Sequence, residues 1–309
     1  MVTFSALFKM FLIIGVSFLA TKCKMWDAKG NQALSKMVMY IFNPALALHS
    51  GVSGARPFTV PQVLQFTAIA VGCYVFLVVT AFLIPKVLAL KGHDGDIYKL
   101  MYLLSNLAFY GIPVVQALFG SEAVLLVIIF TLPFQVVSFT FGAAYASPHK
   151  TDRKFSFKML LHPMIISSTI AYVLYLCGVT FPAFAVEALN FTGSPTSPCA
   201  MVVVGTALAY APLKKVFLDW RQYALAAIKM VILPVVLLFI LRLIFPTGGA
   251  YDTIVGVAVI LMSMPTAAVC TMLTAQYGDG YETTSCGVFL TTLLSAATIP
   301  VLMWLLNVM

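Results

Sequence analysis

The chain has 309 residues, 61% of them hydrophobic and 9% charged, with a formal net charge of +8. Soluble domains carry about 25% charged residues, and a soluble fold of this length cannot hide so much apolar surface behind so few charges. A bilayer as solvent accounts for both figures. The basic residues gather at the ends of apolar stretches, which reads as a membrane-topology signal and excludes nucleic acid as a partner.

Ten apolar segments, each near the roughly 20 residues a membrane helix needs, follow one another along the chain: 3–21, 32–51, 60–84, 97–120, 122–146, 157–178, 187–211, 218–244, 251–277 and 282–306. The first runs to about Thr21 without a small-residue cleavage site and reads as a span, not a removed leader. The second carries Asn43-Pro44, the fourth Gly111-Ile112-Pro113, the seventh Pro195-Thr196-Ser197-Pro198 and the ninth Ser263-Met264-Pro265-Thr266. The longest polar connection, 147–158, falls in the middle of the chain.

Most of the 18 Lys and Arg residues, among them Lys22, Lys24, Lys150, Arg153, Lys214 and Lys215, flank alternate connections on one side, against Arg56 and Arg242 on the other. The positive-inside rule makes the rich side cytoplasmic and sets both termini outside, which requires an even number of spans. The expected location is a plasma membrane, the inner membrane in a bacterium. The two halves are alike: Pro44 and Pro113 lie 69 residues apart, and Pro198 and Pro265 lie 67 apart. Five spans per half is an odd number, so the second half enters the membrane inverted, as in many secondary transporters. The expected organisation is a first repeat over 1–146, a cytoplasmic linker over 147–156 and a second repeat over 157–309.

Proline lacks an amide proton and clashes with the carbonyl one turn back. Pro113, loosened further by Gly111, and Pro265 are therefore expected to break helices 4 and 9 in mid-bilayer. A half-helix that starts there presents free amides and a partial positive charge. Two such starts make an anion site without a buried basic residue. Asn106, Tyr110, Gln116, Ser263, Thr266 and Thr271 are candidate side-chain contributors, with Asn43 and Thr196 in the second and seventh segments. The plainer reading of one proline is a kink in a packed helix; two at matching places favour a site.

At these residues the chain resembles the auxin efflux carrier family, the PIN-like membrane transporters. The resemblance runs along nearly the whole chain. It rests on Phe42-Asn43-Pro44-Ala45-Leu46, on the stretch Asn106 to Gly120, on Ser197-Pro198 with Val204 to Ala209, on Met264-Pro265 and Tyr277-Gly278, and on Thr298-Ile299-Pro300. It implies an all-α fold of about ten helices in two inverted five-helix repeats, similar to the sodium–bile acid symporters. Scaffold and transport subdomains would be interleaved across both repeats, with a crossover at Pro113 and Pro265 and Asn106 as a substrate contact. Plant members export the auxin anion, and bacterial members are associated with small carboxylates such as malate or malonate. The short central connection suits a compact, prokaryote-like member, and segment 9 departs from the pattern in having Ser263 and Thr266 but no Asn beside Pro265.

The remaining residues read plainly. The six cysteines are scattered without metal spacing. Lys9 and Lys229, inside apolar segments, read as snorkelling side chains, and His49 and His162 as interfacial. Glu122 belongs to a tight turn after Gly120, and Asp279 and Glu282 to a solvated turn. No HExxH, GxSxG or intramembrane aspartate pair points to an enzyme. The expected function is alternating-access transport of a small organic anion, secondary active or facilitative. The coupling ion, Na+ or H+ if any, and a homodimer are left open. The alternatives are a sodium-coupled symporter of amphipathic acids and a non-transporting membrane receptor or sensor.

Overall fold

A computed structural model of the chain describes residues 2–54, 57–147, 163–210, 217–245, 247–277 and 280–308. The expected linker beyond Ser147, His162 and Asp279 lie outside the described residues. Within them every regular element is helical, and the one β-type contact is an isolated antiparallel bridge between Ser105 and Thr266.

The first half contains α1 (Val2–Lys22), α2 (Ala28–Met37), α3 (Asn43–Val52), α4 (Val60–Ala81), α5 (Ile84–Val87), α6 (Gly92–Leu103), α7 (Ile112–Phe119), α8 (Val124–Val137) and α9 (Ala143–Ala146). The second contains α10 (Pro163–Cys177), α11 (Ala183–Gly193), α12 (Thr196–Ala209), α13 (Trp220–Ala227), α14 (Leu233–Ile244), α15 (Ala250–Met262), α16 (Val269–Tyr277) and α17 (Tyr281–Val308). Among the described residues, four continuous helical stretches are long and apolar enough to cross a bilayer: Val60–Ala81, Ser121–Ala146, Trp220–Ile244 and Tyr281–Leu306. Leu107–Phe119, Pro163–Cys177 and Ala250–Met262 are shorter apolar helices.

Prolines shape several of these helices without ending them. Pro44, Pro113 and Pro234 each follow a π-helical turn, at Val38–Phe42, Leu107–Gly111 and Ile228–Ile232. In each case the residue before proline donates its amide five residues back: Asn43 to Val38, Ile112 to Leu107 and Leu233 to Ile228. The wider turn relieves the clash between the proline ring and the carbonyl one turn earlier.

Two packing groups emerge. In one, α1 lies along α12, and α3 packs against α10 and α11. Small residues let these backbones approach. A Cβ on Gly205 of α12 would run into Ser17 and Ile14 of α1, and one on Gly193 of α11 would stand 2.8 Å from the backbone of Leu46. In the other group α4 packs on α8, α14 on α15, and α16 on α17, with α8 also against α15. The groups meet where α8 touches α10, where α1 touches α7, and where α12 touches the Leu107–Gly111 turn.

The interruption in the fourth segment is not at Pro113. α6 ends at Leu103, Leu104 is extended (φ −95°, ψ 104°), and the helix resumes as the π turn at Leu107. Pro113 sits in the first turn of α7, beyond the gap. The gap has no proline of its own; pairing with the other half holds Leu104–Asn106 open. The ninth segment does open around its proline, with Ser263–Ala268 non-helical between α15 and α16. Glu122 lies, as expected, in a tight turn, the 3-10 turn Ser121–Ala123 that follows Gly120.

Candidate functional site

The two interruptions are stitched together by main-chain atoms. The Asn106 amide donates to the Pro265 carbonyl at 2.8 Å, and the Ala267 amide to the Leu104 carbonyl at 2.9 Å. The Thr266 amide donates to Thr291 Oγ1 on α17 at 3.0 Å, and its hydroxyl to the Met101 carbonyl at 3.3 Å. Irregular backbone is tolerated at membrane depth only where its polar groups are met in this way or by water.

Against this junction lies a cavity of about 160 Å³. One wall is Ser105–Phe109, the second is Ala267–Val269 with Met272, the third is α8 with the turn after it, and Met39, Met164 and Ile165 close it from the other packing group. The residues that open both resumed helices therefore border one space: Leu107, Ala108 and Phe109 for the first, Ala268 and Val269 for the second. The first amides of a helix lack intrahelical partners, and among the described residues those of Ala108, Phe109, Ala268 and Val269 have no hydrogen bond to another element. Two positive dipole ends thus flank one cavity.

Sequence reasoning missed the third wall. Thr131, Gln135 and Ser138 line the cavity and stand at i, i+4 and i+7, one helical face. The Thr131 hydroxyl donates to its own helix at Ile128. Gln135 is 7% exposed, and neither its Oε1 nor its Nε2 has a partner. A buried amide left unpaired costs roughly 1–3 kcal/mol, which makes Gln135 a waiting donor and acceptor inside the cavity. Three polar residues at helical spacing in a strongly apolar segment were the available signal.

Asn106 is the one expected site side chain that lines this cavity. Pro265 contributes its carbonyl to the stitch. Thr266 is fully buried in the bonds just described, and Ser263 bonds back to the Ile260 carbonyl at 2.7 Å. Tyr110 is fully buried with its hydroxyl 2.6 Å from Ser295 Oγ, and Gly111 packs against Leu261. Pro113 and Gln116 border a different cavity, of about 220 Å³, with Lys9, Ser197 and Pro198; there Ser197 Oγ donates to Gln116 Oε1 at 2.8 Å. Thr271 borders a third, with Tyr210 and Ser285. Asn43 and Thr196 are buried, and both Asn43 amide atoms and Thr196 Oγ1 lack partners.

Lys229 corrects its sequence reading most sharply. It does not snorkel: it is fully buried, and its Nζ donates to the carbonyls of Met101 at 2.7 Å and Leu104 at 3.1 Å. The π turn Ile228–Ile232 carries it.

A family described as membrane transport protein matches residues 2–154 and 146–303. The chain belongs to that family. This bears out the auxin efflux carrier resemblance and makes the chain a multi-pass membrane transport protein. Two relatives extend the comparison. A protein of Rhizobium meliloti (strain 1021) named as a putative malonate transporter is 33% identical over 151 residues. That match covers 48% of this chain and 45% of the relative, so it spans less than half of that protein. An uncharacterized transporter of Methanocaldococcus jannaschii is 26% identical over 286 residues, 88% of this chain and 89% of the relative.

Proposed function

We propose that this membrane transport protein carries a small organic anion, a dicarboxylate of the malonate or malate kind, by alternating access. The observation that carries the reading is the cavity where two helix starts and the unpaired Gln135 amide converge. Dipole ends favour a carboxylate without a basic side chain to trap it, and Asn106 and Gln135 offer hydrogen bonds of fixed direction. The volume is below the roughly 300 Å³ at which sites for drug-sized ligands begin, which favours a compact acid over a bulky aromatic one. The name of the Rhizobium relative points to the same class.

On this reading the chain forms ten spans in two inverted repeats with both termini outside. The stitched interruptions are its crossover, and the packing group of α4, α8 and α13–α17 moves against that of α1, α3 and α10–α12. An inside-negative potential favours export of an uncoupled anion by about 2.3 kcal/mol per charge per 100 mV. The test is counterflow of radiolabelled malonate, malate and an indole acid in proteoliposomes. Malonate or malate is expected to exchange at least tenfold faster than the indole acid. Absence of carboxylate flux, together with absence of carboxylate binding to the purified protein, would reject the reading.

A further inference from the structure

The last turn of α6 ends inside the protein, and its carbonyls have no continuing helix to satisfy them. The Leu100 carbonyl receives the Leu104 amide and Cys270 Sγ, the Met101 carbonyl receives Thr266 Oγ1, and the Leu104 carbonyl receives the Ala267 amide. To Met101 and Leu104 the Lys229 ammonium adds a second, charged donor. No carboxylate among the described residues pairs with it. Its counter-charge is the negative end of the α6 dipole.

That cluster of main-chain carbonyls with a threonine hydroxyl at a half-helix C-terminus is the kind of oxygen set that holds coupling sodium in broken-helix carriers. Here a covalently attached cation stands in it. A buried intramembrane lysine is costly and marks function, and this one sits behind the residues that wall the cavity, touching the main chain on the near side of Ser105 and Asn106. We propose that Lys229 is the resident cation of the junction, holding the carbonyl end of α6 where a free sodium ion would otherwise be required, so that the carrier works without sodium. The transport half of this inference rests on the proposed anion function; the ion-binding half does not. Lys229 acts as a positioning residue: it sets the end of α6, and through it the Leu104–Asn106 gap, without bordering the cavity.

Two measurements separate the halves. First, the purified wild-type protein is titrated with sodium chloride against choline chloride at constant ionic strength, reading melting temperature. The two salts are expected to give the same curve; a sodium-specific rise that saturates in the millimolar range overturns the proposal whatever the carrier moves. Second, anion flux is compared in sodium and in choline at a clamped potential. Wild-type rates should agree within twofold. Lys229→Ala should lose at least tenfold in choline and recover part of it in sodium or ammonium, which can enter the vacated space. Wild-type flux that requires sodium, or Lys229→Ala flux equal to wild type in choline, overturns the proposal. Should Lys229→Ala not fold, Lys229→Met keeps the volume and removes the charge. Its expected result is the same tenfold loss, and flux within twofold of wild type overturns the proposal. If wild-type protein moves no carboxylate at all, the anion reading fails while the sodium titration still decides the role of Lys229.

Discussion

At the first interruption the carbonyl end of α6 is closed from elsewhere, by Lys229 and Cys270 from other helices and by Thr266 from the second gap. At the second, α15 closes itself: the Ser263 amide and hydroxyl turn back onto Val259 and Ile260. The gaps differ in the same sense. Ser263–Ala268 contains Pro265, which forbids continuation of the helix, whereas Leu104–Asn106 has no proline and owes its shape to the segment it pairs with. Their contributions to the cavity differ too. The first borders it with the polar residues Ser105 and Asn106, and the second with Ala267, Ala268 and Val269, whose only polar groups are main-chain. One interruption is locally encoded, and the other is a property of the assembled fold.

The largest effect should come from the cavity side chains. Asn106→Ala and Gln135→Leu are each expected to weaken carboxylate binding about ten- to a hundredfold, the worth of a hydrogen bond to a charged group. Gln135→Leu should leave melting temperature unchanged or raise it, because it removes an amide that is buried and unpaired in the free protein. Binding isotherms and thermal melts on the same preparations check both halves. Full affinity in Gln135→Leu would move the site away from α8.

Prolines sharpen the contrast between gaps. Pro265→Ala permits helix to invade the second gap and should cut flux by about tenfold, whereas Pro113→Ala, beyond the first gap, should cost only about two- to threefold. Initial rates normalised to folded protein decide it, and equal losses would make the two gaps equivalent after all. The smallest effects concern the helix ends. Thr266→Val removes a bond from the second gap to the end of α6 and should cost about 1 kcal/mol of stability. Ser263→Ala should cost roughly half of that, since the backbone amide still closes α15. Denaturant or thermal unfolding of the two variants side by side reads the difference.

Much of the helical architecture was legible because the bilayer imposes it: long apolar runs, few charges and prolines at wide intervals leave little else to build. Pro265 was legible as a break for the same local reason. Pro113 misled, because a π turn ahead of a proline absorbs the defect and lets the helix continue, and the true gap is set by Thr266, far away in sequence. Gln135 belongs to a polar stripe, a weaker signal than a proline because such residues can bond to their own helix, as Thr131 does. Lys229 was not legible, since its carbonyl partners lie 128 and 125 residues away. Burial of such a charge makes sense only once those partners are in place.

The stitch between Asn106, Pro265, Ala267 and Leu104 uses only amides and carbonyls. Every residue except proline brings an amide to positions 106 and 267, and every residue brings a carbonyl to 104 and 265. Joinery of this kind is indifferent to side-chain chemistry. The polar stripe on α8, by contrast, is nothing but side chains. If the proposed site is the cargo site, changes at Thr131, Gln135 and Ser138 should alter its selectivity while the joint that frames it stays as it is.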